Sequence, residues 1–257
     1  MEADDDVPQL NPATLAALQE FLNEKQKIEE EADGGDCGEY EMVQEDWRMS
    51  QFWYEPSTSK TVADEIHFLT QGSASLPIAC IACPSLYTQL KKSYPQLTVR
   101  LLEYDQRFSK FGTDFVFYDY NRPTDLPSEF HESFHIVVAD PPYLSRECLE
   151  NTVLTVKFLS KNVEKSPILV LTGAVQREHI HELLQARPCG FRPLHTNKLG
   201  NEFLLYTNYN PQGRLGGWEE KPLVGVLRYE LRISAGMAMN SVNLDLRLSV
   251  TCETGRS

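Results

Sequence analysis

No stretch of this 257-residue chain approaches the roughly 18 unbroken apolar residues that a helix needs to cross a bilayer, so no membrane span is expected. The N-terminus, MEADDDV, is acidic where a secretory leader is basic and then apolar, which points to a cytoplasmic protein. A basic excess is missing too. The formal net charge is −13, from 37 acids and 24 bases. Residues 1–46 hold 15 of those acids and only 2 lysines, Lys25 and Lys27, while the other 211 residues carry 22 acids and 22 bases. The body is therefore neutral, and the surplus lies in an N-terminal arm. Duplex binding draws much of its affinity from phosphate neutralisation by Lys and Arg, so this balance argues against a nucleic-acid partner.

A disulfide framework is not expected either. Cys37, Cys80, Cys83, Cys148, Cys189 and Cys252 are scattered over a long chain and read as reduced thiols. Cys80 and Cys83 have zinc-knuckle spacing, but no second CxxC or HxxxH pair completes four ligands, so no metal is expected. His179 and His181 lie two apart on an expected helix and do not share a face. His135, at the start of a strand, reads as a packed core residue.

What is present is an alternation of apolar strands and amphipathic helices. Asn11-Pro12 and the leucines that follow predict a helix to about residue 31, and a Gly- and Asp-rich linker over 32–39 completes an acidic segment, 1–46. A domain is expected over 47–209. Its strands are predicted at 76–83, 97–102, 114–118, 134–139, 167–171, near 191–194 and at 203–207. Helices are predicted from Pro56 and over 84–94, 145–160 and 175–186. Apolar strands separated by helices predict a doubly wound α/β sheet, and the linker Asn197–Asn201 predicts a terminal antiparallel hairpin. Residues 210–257 do not fit the sheet pattern and are expected to be poorly ordered.

In open parallel sheets, ligands bind beyond the carboxyl ends of the strands, near the point where strand order reverses. Four segments end there with useful chemistry: Cys83-Pro84, Glu103, Asp119 and Asp140-Pro-Pro-Tyr143. An acid ending the second strand suits a ribose diol, and Glu103 is preferred to Asp105 because it directly ends the apolar run. An acid ending the third strand, Asp119, can accept from an adenine amino group. In Asp140-Pro141-Pro142-Tyr143 two prolines remove two backbone donors and stiffen the chain. The Asp140 carboxylate and the Pro141 carbonyl are then acceptors without a competing donor, and Tyr143 adds a flat wall. Such an edge holds an amino group by its protons and aims its lone pair at an electrophile.

Asp140-Pro-Pro-Tyr143 after a hydrophobic strand resembles the [DNS]PPY signature of the seven-strand, Rossmann-like S-adenosylmethionine-dependent amino-methyltransferases. With Gln51-Phe-Trp-Tyr54 and Leu101-Leu-Glu-Tyr-Asp-Gln-Arg-Phe108, it is similar to the elongation factor 1-alpha lysine methyltransferase family. The resemblance covers residues 10–209. It implies methyl transfer from S-adenosyl-L-methionine to a lysine of translation elongation factor 1-alpha. It also implies that Glu103 binds the ribose, Asp119 the adenine, Cys83 and Pro84 the methionine part, and Asp140, Pro141, Pro142 and Tyr143 the acceptor amine, with Trp53 closing the cofactor site. One departure is that the first strand ends in Ile-Ala-Cys-Pro where most methyltransferases carry a GxGxG loop. Two other readings remain open at this point: an adenine amino-methyltransferase, and a methyltransferase fold kept as a binding module. An adenine acceptor needs a flipped base and a basic surface, which this neutral body does not offer.

Overall fold

The computed structural model describes residues 42–197 and 199–219. The expected helix at 11–31, the linker and the tail from residue 220 onward lie outside the described residues. Seven strands form one sheet: β1 Ile78–Ile81, β2 Val99–Glu103, β3 Phe115–Phe117, β4 Ile136–Ala139, β5 Ile168–Gly173, β6 Arg187–Pro188 and β7 Phe203–Thr207. Their order is β3-β2-β1-β4-β5-β7-β6. β1 to β5 are parallel, and β7 runs antiparallel to both β5 and β6. The helices are α1 Pro56–Thr70, α2 Pro84–Ser93, α3 Arg146–Leu159 and α4 Arg177–Leu184. Among the described residues, no helix is long and apolar enough to cross a membrane.

Period-two alternation along the strands feeds two cores. Ile78, Cys80, Val99, Leu101, Val138 and Leu205 face α1 and α2, meeting Val62, Ile66, Leu86 and Leu90. Ala79, Ile81, Leu102, Val137, Val170 and Tyr206 face α3 and α4, meeting Leu149, Val153, Val156 and Ile180. Proline at the first turn starts α1 and α2, and Ser145 caps α3 by accepting from the Cys148 N–H at 3.2 Å.

Four expectations change. The sixth strand is not at 191–194 but is the two-residue Arg187–Pro188, so the hairpin connection is longer than the expected Asn197–Asn201 turn. Residues 210–219 stay on the domain. A short helical turn, Gln212–Leu215, buries Leu215 in the α1/α2 core, and Trp218 bridges back to Cys189. Residues 42–46 also belong to the domain, since the Trp53 indole N–H donates to the Val43 carbonyl at 2.9 Å and Glu45 accepts from the Trp53 backbone N–H at 2.6 Å. His135 is only half-buried, at the amino end of the sheet beside the Lys161 ammonium at 3.2 Å, and is not part of either core.

Candidate active site

Strand order reverses between β1 and β4, and the loops after those two strands open side by side. Each is held by the sheet it leaves: the Asp140 N–H donates to the Ile81 carbonyl at 3.0 Å, and the Ala82 N–H to the Leu102 carbonyl at 2.8 Å. Two adjoining cavities lie there, of about 340 and 280 Å³, sharing Met49, Ala82, Glu103, Pro142 and Tyr143. The larger is lined by Trp53, Pro84, Asp140, Pro141, His195 and Phe203, and the smaller by Tyr104, Asp119, Tyr120 and Asn121.

Of the residues singled out from sequence, eight line these cavities and one does not. Cys83 is a correction. It is buried in the α1/α2 core with its thiol toward the Val138 carbonyl at 3.9 Å. The reason is local: Ala82 takes a left-handed backbone, φ 53, which turns Cys83 inward and puts Ala82 itself on the cavity wall. A non-glycine residue there costs about 1–3 kcal/mol, which the paired strands on either side sustain. Ala82 thus occupies the tight turn that a glycine loop would make.

Glu103 and Asp105 divide as their surroundings dictate. Asp105 is saturated, accepting from Gln51 Nε2 at 2.9 Å, from the Arg107 N–H at 2.9 Å and from the Arg107 guanidinium at 2.6 Å. The guanidinium and Gln51, against the cost of burial, hold it below the usual carboxylate range. Glu103 accepts from the Asp105 N–H at 3.1 Å and lines both cavities, and among the described residues no ion pair falls on it. Burial pushes Glu103 up to about 7. Asp119 accepts from Asn121 twice through Oδ1, at 2.9 Å each, and no bond falls on Oδ2. Asp140 is pushed up to about 8, first by burial and then by Glu103, while Tyr54 opposes the rise.

The sign of the Glu103 shift gives a test in the chain alone. A carboxyl raised on folding contributes stability that is complete below its ordinary 4.5 and is lost as pH climbs through about 7. Glu103→Gln should therefore flatten the fall in stability between those values, by at most roughly 3 kcal/mol. Thermal denaturation across a pH series reads this, and an unchanged slope counts against it.

Sequence reasoning missed Ala82, His195 and Phe203. His195 reaches the cavity because segment 194–196 pairs antiparallel with 53–55: the Thr196 N–H donates to the Trp53 carbonyl at 2.9 Å, and the Glu55 N–H to the Leu194 carbonyl at 2.8 Å. No local motif marks it. Burial lowers the His195 imidazole to about 4, so the ring is neutral. Among the described residues no group of three or more His, Cys, Asp or Glu is placed to hold a metal ion.

A family described as probable N6-adenine methyltransferase matches residues 45–211. The chain is 44% identical over 210 residues to EEF1A lysine methyltransferase 1 of Gallus gallus, covering 80% of this chain and 96% of that protein. The Homo sapiens protein of the same name is also 44% identical, over 80% of this chain and 94% of its own. Protein-lysine N-methyltransferase M142.8 of Caenorhabditis elegans is 39% identical over 81% and 97%. Among solved structures, a branched-chain polyamine synthase mutein from Thermus thermophilus overlaps with a TM-score of 0.50 at 11% identity, over 64% of this chain and 59% of that one, a likeness of fold. With a reversed seven-strand sheet, a DPPY edge at its switch point and relatives this similar over nearly their whole length, the chain belongs to the protein-lysine N-methyltransferase family of EEF1A lysine methyltransferase 1.

Proposed function

We propose that the chain transfers a methyl group from S-adenosyl-L-methionine to a lysine amine of translation elongation factor 1-alpha. The observation that carries this is the Asp140–Tyr143 edge opening on a cavity that Glu103 also lines. The donor set fits such a cofactor. Glu103 is a buried carboxylate facing the cavity without a cation and suits a ribose diol; Asp119 keeps one oxygen for an amino group; Tyr104 and Tyr120 offer flat faces. Ala82 and Pro84 line the part between β1 and the acceptor edge, and Trp53 closes the larger cavity. When bound, the cofactor supplies an electrophilic methyl on a sulfonium.

The chain's own residues prepare the acceptor. A lysine must lose a proton before it attacks, and desolvation against Trp53, Tyr143 and Phe203 disfavours the ammonium. The Asp140 carboxylate and the Pro141 carbonyl accept the N–H bonds, so the lone pair points away from them. Because two hydrogen bonds from a diol need the ionised carboxylate, cofactor binding should tighten as pH rises from about 6 to 8, through the Glu103 transition at about 7. Glu103→Gln is expected to weaken binding about tenfold and remove that pH dependence, which titration calorimetry reads.

The functional test is transfer of labelled methyl groups in a eukaryotic extract, with and without nuclease. Label in a nuclease-resistant band at the mass of elongation factor 1-alpha supports the proposal. Label that vanishes with nuclease would replace it with transfer to adenine, and no cofactor binding would replace it with a binding module.

A further inference from the structure

Glu45 has no part in the roles above, yet its carboxylate joins two separate walls of the larger cavity. Oε1 accepts from the Trp53 backbone N–H at 2.6 Å. Oε2 accepts from the Asn197 side-chain amide at 2.6 Å and from the Trp47 indole N–H at 3.3 Å. Trp53 closes segment 49–53, which lines the larger cavity, and Asn197 lies in the connection between β6 and β7. The Trp53 side is fixed without Asn197, since its indole N–H holds the Val43 carbonyl and its ring meets the Phe108 ring edge-on at 6.1 Å.

The connection is the side that needs a tie. Thr196, Asn197, Gly200 and Asn201 are exposed, and a surface loop with few bonds opens readily. Its backbone is held at Thr196, whose N–H donates to the Trp53 carbonyl at 2.9 Å, and again at Glu202, whose carbonyl accepts from the Ala174 N–H at 2.8 Å. Among the described residues, 197 and 199–201 make no backbone hydrogen bond between those two points. The Asn197 side chain on Glu45 is therefore what anchors the stretch carrying Leu199, Gly200 and Asn201. Those three line the larger cavity with Asp140 and Pro141, and none of them lines the smaller one.

We propose that Glu45 is a positioning residue for the acceptor side: by holding Asn197 against the Trp53 segment, it fixes the connection 194–201 as the wall that a lysine-bearing stretch of the protein substrate meets. A wall held before the substrate arrives spares the cost of ordering it on binding. This inference rests on the methyl-transfer reading of the same site, but its first test does not.

The variants are Glu45→Gln, Asn197→Asp and the two together, each in the full chain. In either single variant like meets like at the tie, amide against amide or carboxylate against carboxylate, while the Trp53 N–H keeps an acceptor. In the pair, the new amide donates to the new carboxylate and the tie is remade. In the protein without cofactor, hydrogen exchange of the Thr196 N–H should quicken about fivefold in each single variant and return to the parent rate in the pair. In steady-state transfer, KM for elongation factor 1-alpha should rise about fivefold in each single variant and recover in the pair, with kcat and cofactor affinity within about twofold of the parent throughout. An unmoved KM in the single variants, a pair that does not recover, or cofactor affinity falling in step with KM would each overturn the assignment. Exchange that quickens and recovers in a chain whose parent transfers no methyl group would overturn the function reading instead and leave the Glu45–Asn197 tie standing.

Discussion

Asp140→Ala is expected to lower methyl transfer by about a thousandfold or more while cofactor affinity stays within about twofold of the parent. The split follows from where the carboxylate stands. It follows β4 on the wall of the larger cavity, whereas Asp119 beyond β3 lines the smaller one and Glu103 at the end of β2 lines both. In the proposed reaction Asp140 holds the acceptor amine, so its loss would remove an interaction that orients the attacking nitrogen and leave the cofactor's proposed partners in place. A second sign separates this from misfolding. Asp140 is raised to about 8, so the folded chain favours its protonated form, and ionising it costs stability as pH rises through that value. Asp140→Ala should thus be more stable than the parent at high pH, with the advantage fading on acidification. Steady-state transfer, calorimetry and a pH series of melts read the three parts. A variant that loses activity together with cofactor binding and stability would contradict the role.

Ending the chain at Tyr209, or substituting Arg214→Ala, is expected to cost about 3–5 kcal/mol of folding stability. The cause is Glu65 on α1, whose side chain is 1% exposed. Its carboxylate accepts from Arg214 Nε at 2.7 Å and Nη2 at 3.2 Å, and from the Tyr209 hydroxyl at 3.0 Å. The Arg214 guanidinium also lies 3.9 Å from the centre of the Phe68 ring. Removing it leaves a carboxylate sealed against an apolar core with one hydroxyl for company, and the truncation further strips Leu215 and Trp218 from that core. Urea denaturation of both variants measures this, and a change under about 1 kcal/mol would mean the pair is worth no more than a surface ion pair. Glu65→Gln with Arg214→Ala should recover part of the loss, because the buried charge is then gone.

Six of the seven strands and the position of the Asp140–Tyr143 edge were legible because both are local in the chain. Runs such as Ile136–Ala139 are apolar on both faces, as a parallel strand between helix layers must be, and Asp140-Pro-Pro-Tyr143 states its chemistry in four residues. The carboxylates at the ends of β2 and β3 followed from strand positions alone. What escaped the sequence depends on partners far along the chain. β6 is Arg187–Pro188 because β7 and Trp218 close on that region, while Phe191-Arg-Pro-Leu194, more strand-like by composition, joins no strand: the Phe191 N–H donates to the Leu215 carbonyl and the Leu194 carbonyl accepts from the Glu55 N–H. Cys83 and Ala82 exchanged places through a single positive φ that nothing in Ile-Ala-Cys-Pro announces. The turn at Gln212–Leu215 has no period to read, since its place rests on Leu215 in the α1/α2 core and the Arg214–Glu65 ion pair to α1.

The central claim is that the edge beyond β4 methylates a lysine amine. Its most direct test incubates purified elongation factor 1-alpha with S-adenosyl-L-methionine and either the parent chain or Asp140→Ala, then maps added methyl groups by peptide mass spectrometry. The account predicts methylation of a lysine side chain by the parent and none by the variant. Methylation at no lysine with the parent, or equal methylation with both, would contradict it.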